Sequence, residues 1–322
     1  MRCKDICFSS KNNFLCTFAY LVQSKTQGMI DDSSLVKRVA VLITCFNRKE
    51  KTIRCLESIY SQKLPEFVKF ELFIVDDGST DGTAQAIQAK FPEVNMLAGD
   101  GNLFWAGGMR FAWNTALATK KYDFFWLVND DTSFYPETFS HLLEADRYAI
   151  TNYGVSGIYS GSTRDPKSGV RTYGGEKLRN RDDYATIPLH PNGQYQSCEF
   201  TNANILLIPA SVVDAVGIFS DVYVHSIADF DYSMRVMEAG LPVLILPEFA
   251  GFCENDHNDQ HQGGLRNIRK RLRNLFGPKG YSYKEFLYFV KTHFPKRYAN
   301  TVITLWLRTL FPSLWSSYKN RK

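Results

Sequence analysis

Phe124-Phe125-Trp126-Leu127-Val128-Asn129-Asp130-Asp131 is an apolar run that stops in two carboxylates. An apolar stretch without polar alternation reads as a strand covered on both faces, and such strands belong to parallel sheets flanked by helices. Its last residues then fall at the carboxyl edge of the sheet, where open α/β folds bind ligands. The arrangement recurs upstream, where Phe70-Glu71-Leu72-Phe73-Ile74-Val75 runs into Asp76-Asp77-Gly78-Ser79-Thr80-Asp81-Gly82-Thr83. Two strands of one parallel sheet would bring both acid clusters to one rim, and paired acids there suit a hard divalent cation carrying a nucleotide diphosphate. The pattern points to an enzyme acting on an activated nucleotide.

The flanking sequence supports a β-α-β-α alternation. Residues 39–43 read as a buried strand, followed by the turn Thr44-Cys45-Phe46-Asn47-Arg48 and a helix from about 50 to 61 with Ile53, Leu56 and Ile59 at three-to-four spacing. Ala84, Ile87 and Phe91 mark a second helix closed by Pro92, and residues 94–97 form a short third strand. The glycine-dense stretch 99–108 predicts a loop before a helix from about 109 to 120. Beyond residue 131 the pattern predicts short strands at 153–159, 170–173, 205–208 and 243–246, with helices at 209–216 and 229–239.

At 322 residues, 44% hydrophobic, the chain can bury a full core. Its net charge of +5 is unevenly placed: from Arg266 onward the basic residues are opposed by the single acid Glu285, so the remainder is acidic on balance. That asymmetry points to a tail meeting an anionic surface. Nucleic acid is a poor partner because no recognised reading module accompanies the charge. The seven scattered cysteines include no C-x-x-C pair and read as reduced thiols of a cytosolic protein. No stretch reaches the 18 or so apolar residues a spanning helix needs. Phe14 to Val22 is a short apolar patch without a small-residue cleavage site, so no signal peptide is expected.

Each acid cluster alone has a structural explanation, since Asp, Asn and Gly are common turn residues and Ser79 or Thr80 could cap a helix. Taken in order, the motifs resemble the family 2 glycosyltransferases from about residue 39 to 248. The segment Val41-Leu42-Ile43-Thr44-Cys45-Phe46-Asn47-Arg48 resembles the family's opening strand and turn, Val75 to Thr83 its second motif, and Asn129-Asp130-Asp131 its DxD position with Asn in front. The resemblance implies a GT-A fold: an α/β domain with a mostly parallel central sheet and helices on both faces, here with a helical basic C-terminal tail. It implies nucleotide contacts from Thr44, Phe46, Asn47, Arg48, Asp77 and Asp130, and a divalent metal, Mg2+ or Mn2+, on Asp131. Gly107, Gly108, Arg110 and Asn114 would form the donor-side loop, with Trp113 where the family often carries Arg.

The family's acceptor-side acid falls at Ser226-Ile227-Ala228-Asp229-Phe230-Asp231, where the interval from Asp229 to Arg235 is kept but Ala228 replaces the usual Glu. Asp229 is then the expected catalytic base, with Asp231 the alternative, and Asp229 is also a good helix N-cap. His257 or His261 could complete a metal shell, or belong to a solvated polar loop. Trp105 could stack on a sugar or fill the core. The expected organisation is a leader at 1–37, a catalytic domain at 38–265 divided into a nucleotide half (38–131) and an acceptor half (132–265), and a basic amphipathic tail at 266–322.

The implied activity is inverting transfer of a sugar from a nucleotide-diphospho-sugar to a glycan or lipid-linked acceptor, in bacterial surface polysaccharide synthesis. The motif variants look most like the rhamnosyltransferase-type branch. The expected location is cytoplasmic, peripheral on the inner face of the cell membrane, with the tail either binding lipid or packing on the domain. The rival readings are a silent glycan-binding protein and a sugar nucleotidyltransferase; the latter needs a triphosphate-binding loop that 44–48 does not supply.

Overall fold

Strands buried on both faces must lie inside a sheet, and residues 39–43 are wholly buried. They form the middle of β1 (Lys37–Cys45), which pairs in parallel with β2 (Val68–Asp76) and with β4 (Phe124–Asn129). β3 (Asn95–Ala98) extends the sheet beyond β2. The parallel connections are made by α1 (Lys49–Tyr60), α2 (Thr83–Lys90) and α3 (Phe104–Thr119). The computed structural model describes residues 36–255, 268–278, 280, 282–312 and 315. Residues 1–35 of the expected leader (1–37), together with His257 and His261, lie outside the described residues, whereas Lys37 belongs to β1.

After β4 come β5 (Thr132–Phe134), α4 (Thr138–Tyr153) and β6 (Ile158–Arg164). β7 (Gly175–Asn180), β8 (Asp183–Pro188), β9 (Gln196–Ser197), β10 (Phe200–Thr201) and β11 (Ile205–Pro209) follow. α5 (Ala210–Val216), α6 (Ala228–Glu238) and β12 (Val243–Cys253) complete this half. The main sheet runs β3-β2-β1-β4-β11-β6-β12-β5 with β9 on β12, and β10-β7-β8 make a separate small sheet. β1 to β4, β6 and β12 share one direction, while β11, β5 and β9 oppose them. The fold is α/β, with a mostly parallel sheet covered by helices on both faces.

Strand alternation divides the core between those faces. Leu42, Phe73, Phe125 and Leu127 pack with Met109, Ala112 and Trp113 of α3 and Tyr232 of α6. Val41, Ile43, Trp126 and Val128 face Leu56 and Ile59 of α1 and Phe139, Leu142 and Ala149 of α4.

Several sequence expectations are corrected. α3 begins at Phe104, so Gly107 and Gly108 lie inside the helix rather than in a loop. α4, which the sequence reading did not predict, ends at Tyr153, and the strand expected at 153–159 begins only at Ile158. Its helical spacing is obscured by Asp146 at a buried position, where the carboxylate accepts the Tyr159 hydroxyl at 2.7 Å. Residues 170–173 form no strand, only a bridge between Arg171 and Arg164.

The basic segment contributes α7 (Ile268–Phe276), α8 (Tyr283–His293) and α9 (Tyr298–Leu310). Phe289 and Val290 of α8, with Phe294, are buried in the same cluster as Phe200 and Tyr232. Arg269, Lys270 and Arg273 are exposed on α7. No helix among the described residues is long and apolar enough to cross a membrane.

Candidate active site

The register of β1 places Cys45 opposite Asp76 of β2 and Thr44 opposite Asn129 of β4, so the turns at 45–48, 76–83 and 129–131 leave the sheet at one level. Asp130 is 4% exposed. Nη1 of Arg48 donates to Oδ1 of Asp130 at 3.1 Å and to Oδ2 of Asp131 at 2.7 Å. Two carboxylate oxygens therefore converge on one cationic atom. The Thr52 hydroxyl reaches Asp130 at 3.4 Å, and the Cys253 thiol, at the end of β12, lies 3.5 Å from Asp131. Burial pushes the Asp130 carboxyl up to about 7 against the opposing pull of Arg48.

This geometry tests the expected metal. Arg48 Nη1 stands in for a cation held by two hard oxygen donors, the ligand type that Mg2+ and Mn2+ take when phosphates and waters complete the shell. The acid pair fits such an ion once Arg48 moves off. No cluster of three or more His, Cys, Asp or Glu side chains able to hold a metal occurs among the described residues.

In the half expected to hold a nucleotide, the Asp77 carboxylate accepts the backbone N–H groups of Gly101 at 2.9 Å, Leu103 at 3.2 Å and Phe104 at 2.9 Å. Asp77 thus starts α3, leaving the expected base contact to be made by a carboxylate already holding the loop. A Cβ on Gly99 would lie 2.6 Å from Asp77 Oδ1 and 2.9 Å from its Cα, so this approach requires glycine. Asn47 accepts the Thr80 N–H at 2.8 Å and its own N–H donates to Ser79 at 2.8 Å, locking the first two turns together. Ser79 and Thr80 do not cap α2; the Asp81 carboxylate takes the Thr83 N–H instead, at 3.0 Å. Thr44 is buried and its hydroxyl finds no hydrogen-bond partner among the described residues, a polar atom at the rim suited to a ligand. Phe46 is 44% exposed beside it in sequence.

The donor-side expectations divide. Gly108 belongs to the rim, because a Cβ there would stand 2.4 Å from Thr44 Cγ2. Arg110 does not: it donates to the carbonyls of Ser220, at 2.9 Å, and Tyr223, clamping the loop before α6. Asn114 is exposed, roughly 15 Å along α3 from its start at the helical rise per residue. Trp113 is fully buried against Phe125, Phe219 and Tyr232, where no Arg could be solvated. Trp105 is partly buried, and its Nε1 donates to Asn129 Oδ1 at 2.8 Å.

On the acceptor side, Asp229 and Asp231 separate cleanly. Asp229 Oδ2 accepts the Ala203 N–H at 3.2 Å and Oδ1 its neighbour Phe230 N–H at 3.0 Å. The next residue, Asn204, accepts the Asn129 N–H through its carbonyl at 3.3 Å, so this chain ties Asp229 to the end of β4. Burial raises the Asp229 carboxyl to about 6, although backbone N–H groups pull the other way. Asp229 is not the N-cap: α6 starts at Ala228 after Ile227, a β-branched residue at φ +72° in the left-handed region. Asp231 is 2% exposed and accepts from the Tyr223 hydroxyl at 2.9 Å and Arg235 Nε at 2.9 Å, with His293 Nε2 at 3.0 Å. Both Asp231 oxygens are thus engaged in buried contacts within the protein.

Sequence reading missed Thr52 and Cys253 as neighbours of the acids and Asn204 as a partner of Asn129, and it did not place Trp105 against Asn129. Asn204 carried a usable signal, being an amide directly before the apolar run 205–208. The others reach the rim from separate elements.

Residues 40–197 match the family model described as Glycosyl transferase family 2. No curated protein matches the chain by sequence. Among solved structures, the chain is similar to the mannosyltransferase PcManGT from Pyrobaculum calidifontis in complex with GDP-Man and Mn2+, at 16% identity and a TM-score of 0.49, over 86% of this chain and 71% of that one. It is also similar to S. aureus TarS 1-349, at 17% identity and a TM-score of 0.46, over 67% of this chain and 60% of that one. TarS 1-349 in complex with UDP gives the same values.

Proposed function

We propose that the protein is an inverting glycosyltransferase that moves a sugar from a nucleotide-diphospho-sugar to a hydroxyl of a glycan or lipid-linked acceptor. The observation that supports this reading is the tie from Asn129, the residue directly before the acid pair, through Asn204 and Ala203 to Asp229. In the proposed step the Asp229 carboxylate takes the acceptor hydroxyl proton while that oxygen bonds to the anomeric carbon. The bond from this carbon to the diphosphate breaks with its electron pair on the diphosphate, and a single displacement inverts the centre. A base with a carboxyl near 6 is ionised at neutral pH and still basic enough to share a proton in the transition state.

Thr44, Phe46, Asn47 and the loop built on Asp77 would hold the nucleotide. Asp131, with Asp130, would hold Mg2+ or Mn2+, which when bound supplies positive charge against the leaving diphosphate. The resemblance to the rhamnosyltransferase-type branch favours a deoxyhexose donor used in surface polysaccharide synthesis, with the exposed α7 cations meeting the cytoplasmic face of the membrane.

The test is a panel of nucleotide sugars, each assayed for thermal stabilisation with and without Mn2+ and for hydrolysis or transfer. One donor should stabilise the protein in a metal-dependent way and be turned over. Stabilisation without turnover on any acceptor would favour a silent binding protein, and no response to any nucleotide sugar would overturn the proposal. Asp131→Asn should abolish both transfer and the metal dependence.

A further inference from the structure

Arg48 occupies the position that a metal would need. One of its nitrogens, Nη1, satisfies an oxygen of Asp130 at 3.1 Å and an oxygen of Asp131 at 2.7 Å. The two acid side chains are sheltered, 6% and 13% exposed, whereas the Arg48 side chain is 44% exposed. Two sheltered carboxylates converging on one point require a counter-charge. A long exposed side chain supplies one that can leave without disturbing the core. The Arg48 backbone is fixed, since it sits directly before α1 and its carbonyl accepts both the Thr52 N–H at 2.9 Å and the Thr52 hydroxyl at 3.0 Å. Movement is therefore confined to the side chain.

A guanidinium and a divalent cation repel each other strongly at a sheltered point. A diphosphate has the opposite effect, because its oxygens match the guanidinium fork and its charge competes with the two acids. Resting on the glycosyltransferase reading above, we infer that Arg48 is an exchangeable counter-ion. It closes the Asp130–Asp131 pair to metal in the free protein and passes to the diphosphate when the metal takes the acids. Metal and diphosphate then enter as a coupled pair, each tightening the other by the same factor, and metal alone does not load the site. Departure of the nucleoside diphosphate returns Arg48 to the acids and releases the metal.

The experiment measures Mn2+ binding to the full chain by the electron paramagnetic resonance signal of free Mn2+, alone and with UDP, GDP or dTDP. Wild type should bind Mn2+ weakly alone and at least about tenfold more tightly with the matching diphosphate, a coupling of ~1.4 kcal/mol. Arg48→Met, which keeps the apolar stem, should bind Mn2+ alone at least about tenfold more tightly than wild type and lose most of the coupling. Arg48→Lys keeps the charge and should still exclude Mn2+, which covers the case of an unstable methionine variant. Equal Mn2+ affinity of wild type and Arg48→Met, or an Arg48→Lys protein that binds Mn2+ alone about tenfold more tightly than wild type, overturns the exchange. Asp131→Asn separates the two levels: if it leaves diphosphate-dependent Mn2+ binding unchanged, the metal reading itself fails. If it abolishes that binding while Arg48→Met behaves as wild type, only the exchange fails.

Discussion

Nε2 of His293 in α8 lies 3.0 Å from Oδ1 of Asp231 in α6, and its Nδ1 lies 2.9 Å from Glu238 Oε1 at the end of the same helix. A neutral imidazole has one N–H, so two carboxylate partners favour the imidazolium. Those carboxylates hold the His293 proton above its ordinary value despite the opposing effect of burial. The basic segment is thereby tied to the helix that begins with Asp229. A second tie lies nearby, where Glu285 accepts the Val224 N–H at 3.0 Å.

The sign of the resulting pH dependence follows from linkage. His293 has a raised folded value, so its contribution is fully present below the ordinary imidazole range near pH 6.5 and is lost as pH rises through the raised value. Asp231 is held below its ordinary value, so its contribution is present above the carboxylate range and is lost as pH falls. The urea midpoint of wild type should therefore fall on the alkaline side. His293→Ala leaves Asp231 and Arg235 with a broken buried network and should cost ~3–5 kcal/mol at pH 7. A variant as stable as wild type across that range would show that the contact carries no weight.

Asp229→Asn should reduce transfer by at least about 10²-fold, because an amide cannot take the acceptor proton. Folding should survive, since the amide oxygen can still accept a backbone N–H and no buried charge is left alone. In wild type, kcat/KM should fall as pH drops through about 6, and the variant's residual rate should lack that limb. Asp231→Asn should behave differently, losing stability through Tyr223, Arg235 and His293 before it loses chemistry. Asp229→Asn at near wild-type rate would move the base elsewhere.

Gly108→Ala forces a methyl into the space held by Thr44, with Cγ2 at 2.4 Å and Oγ1 at 2.6 Å. Overpacking of this kind costs ~1–3 kcal/mol, and here it should also weaken nucleotide binding by displacing Thr44. Adding Thr44→Ala leaves only the Cβ at 3.1 Å and should restore part of the stability but not the nucleotide contact. Calorimetry of both variants with whichever donor the nucleotide-sugar panel selects checks this.

Removing the chain from Arg269 onward strips Phe289, Val290 and Phe294 from the core, so the truncated protein should be insoluble or unfolded. Membrane attraction is better tested by Arg269→Gln, Lys270→Gln and Arg273→Gln together, all on the exposed side of α7. Each cation near an anionic surface contributes about 1 kcal/mol and is screened by salt. The triple variant should leave anionic vesicles at a lower salt concentration than wild type. Wild type that ignores such vesicles at low salt removes the membrane proposal.

Most strands and helices from 39 to 131, and the acids at their ends, were legible in the order of the amino acids, though α3 begins five residues earlier than its glycines suggested. Strand periodicity, glycine and chain direction are local properties, and a parallel sheet turns them into one rim with no further information. The resemblance to a family motif, with the interval from Asp229 to Arg235, pointed to Asp229. What only the tertiary structure decided are the roles that depend on partners far apart in the chain. Arg110 and Asn114 looked equivalent along α3, yet the first is held by carbonyls of residues 220 and 223 and the second is exposed. Asp229 and Asp231 are two residues apart on a helix and so point to different sides, one toward Ala203 and one toward His293. The placement of Arg48 between Asp130 and Asp131 likewise appears only when β1 and β4 are paired, because charge on a side chain is written in the sequence but the charge it meets is not.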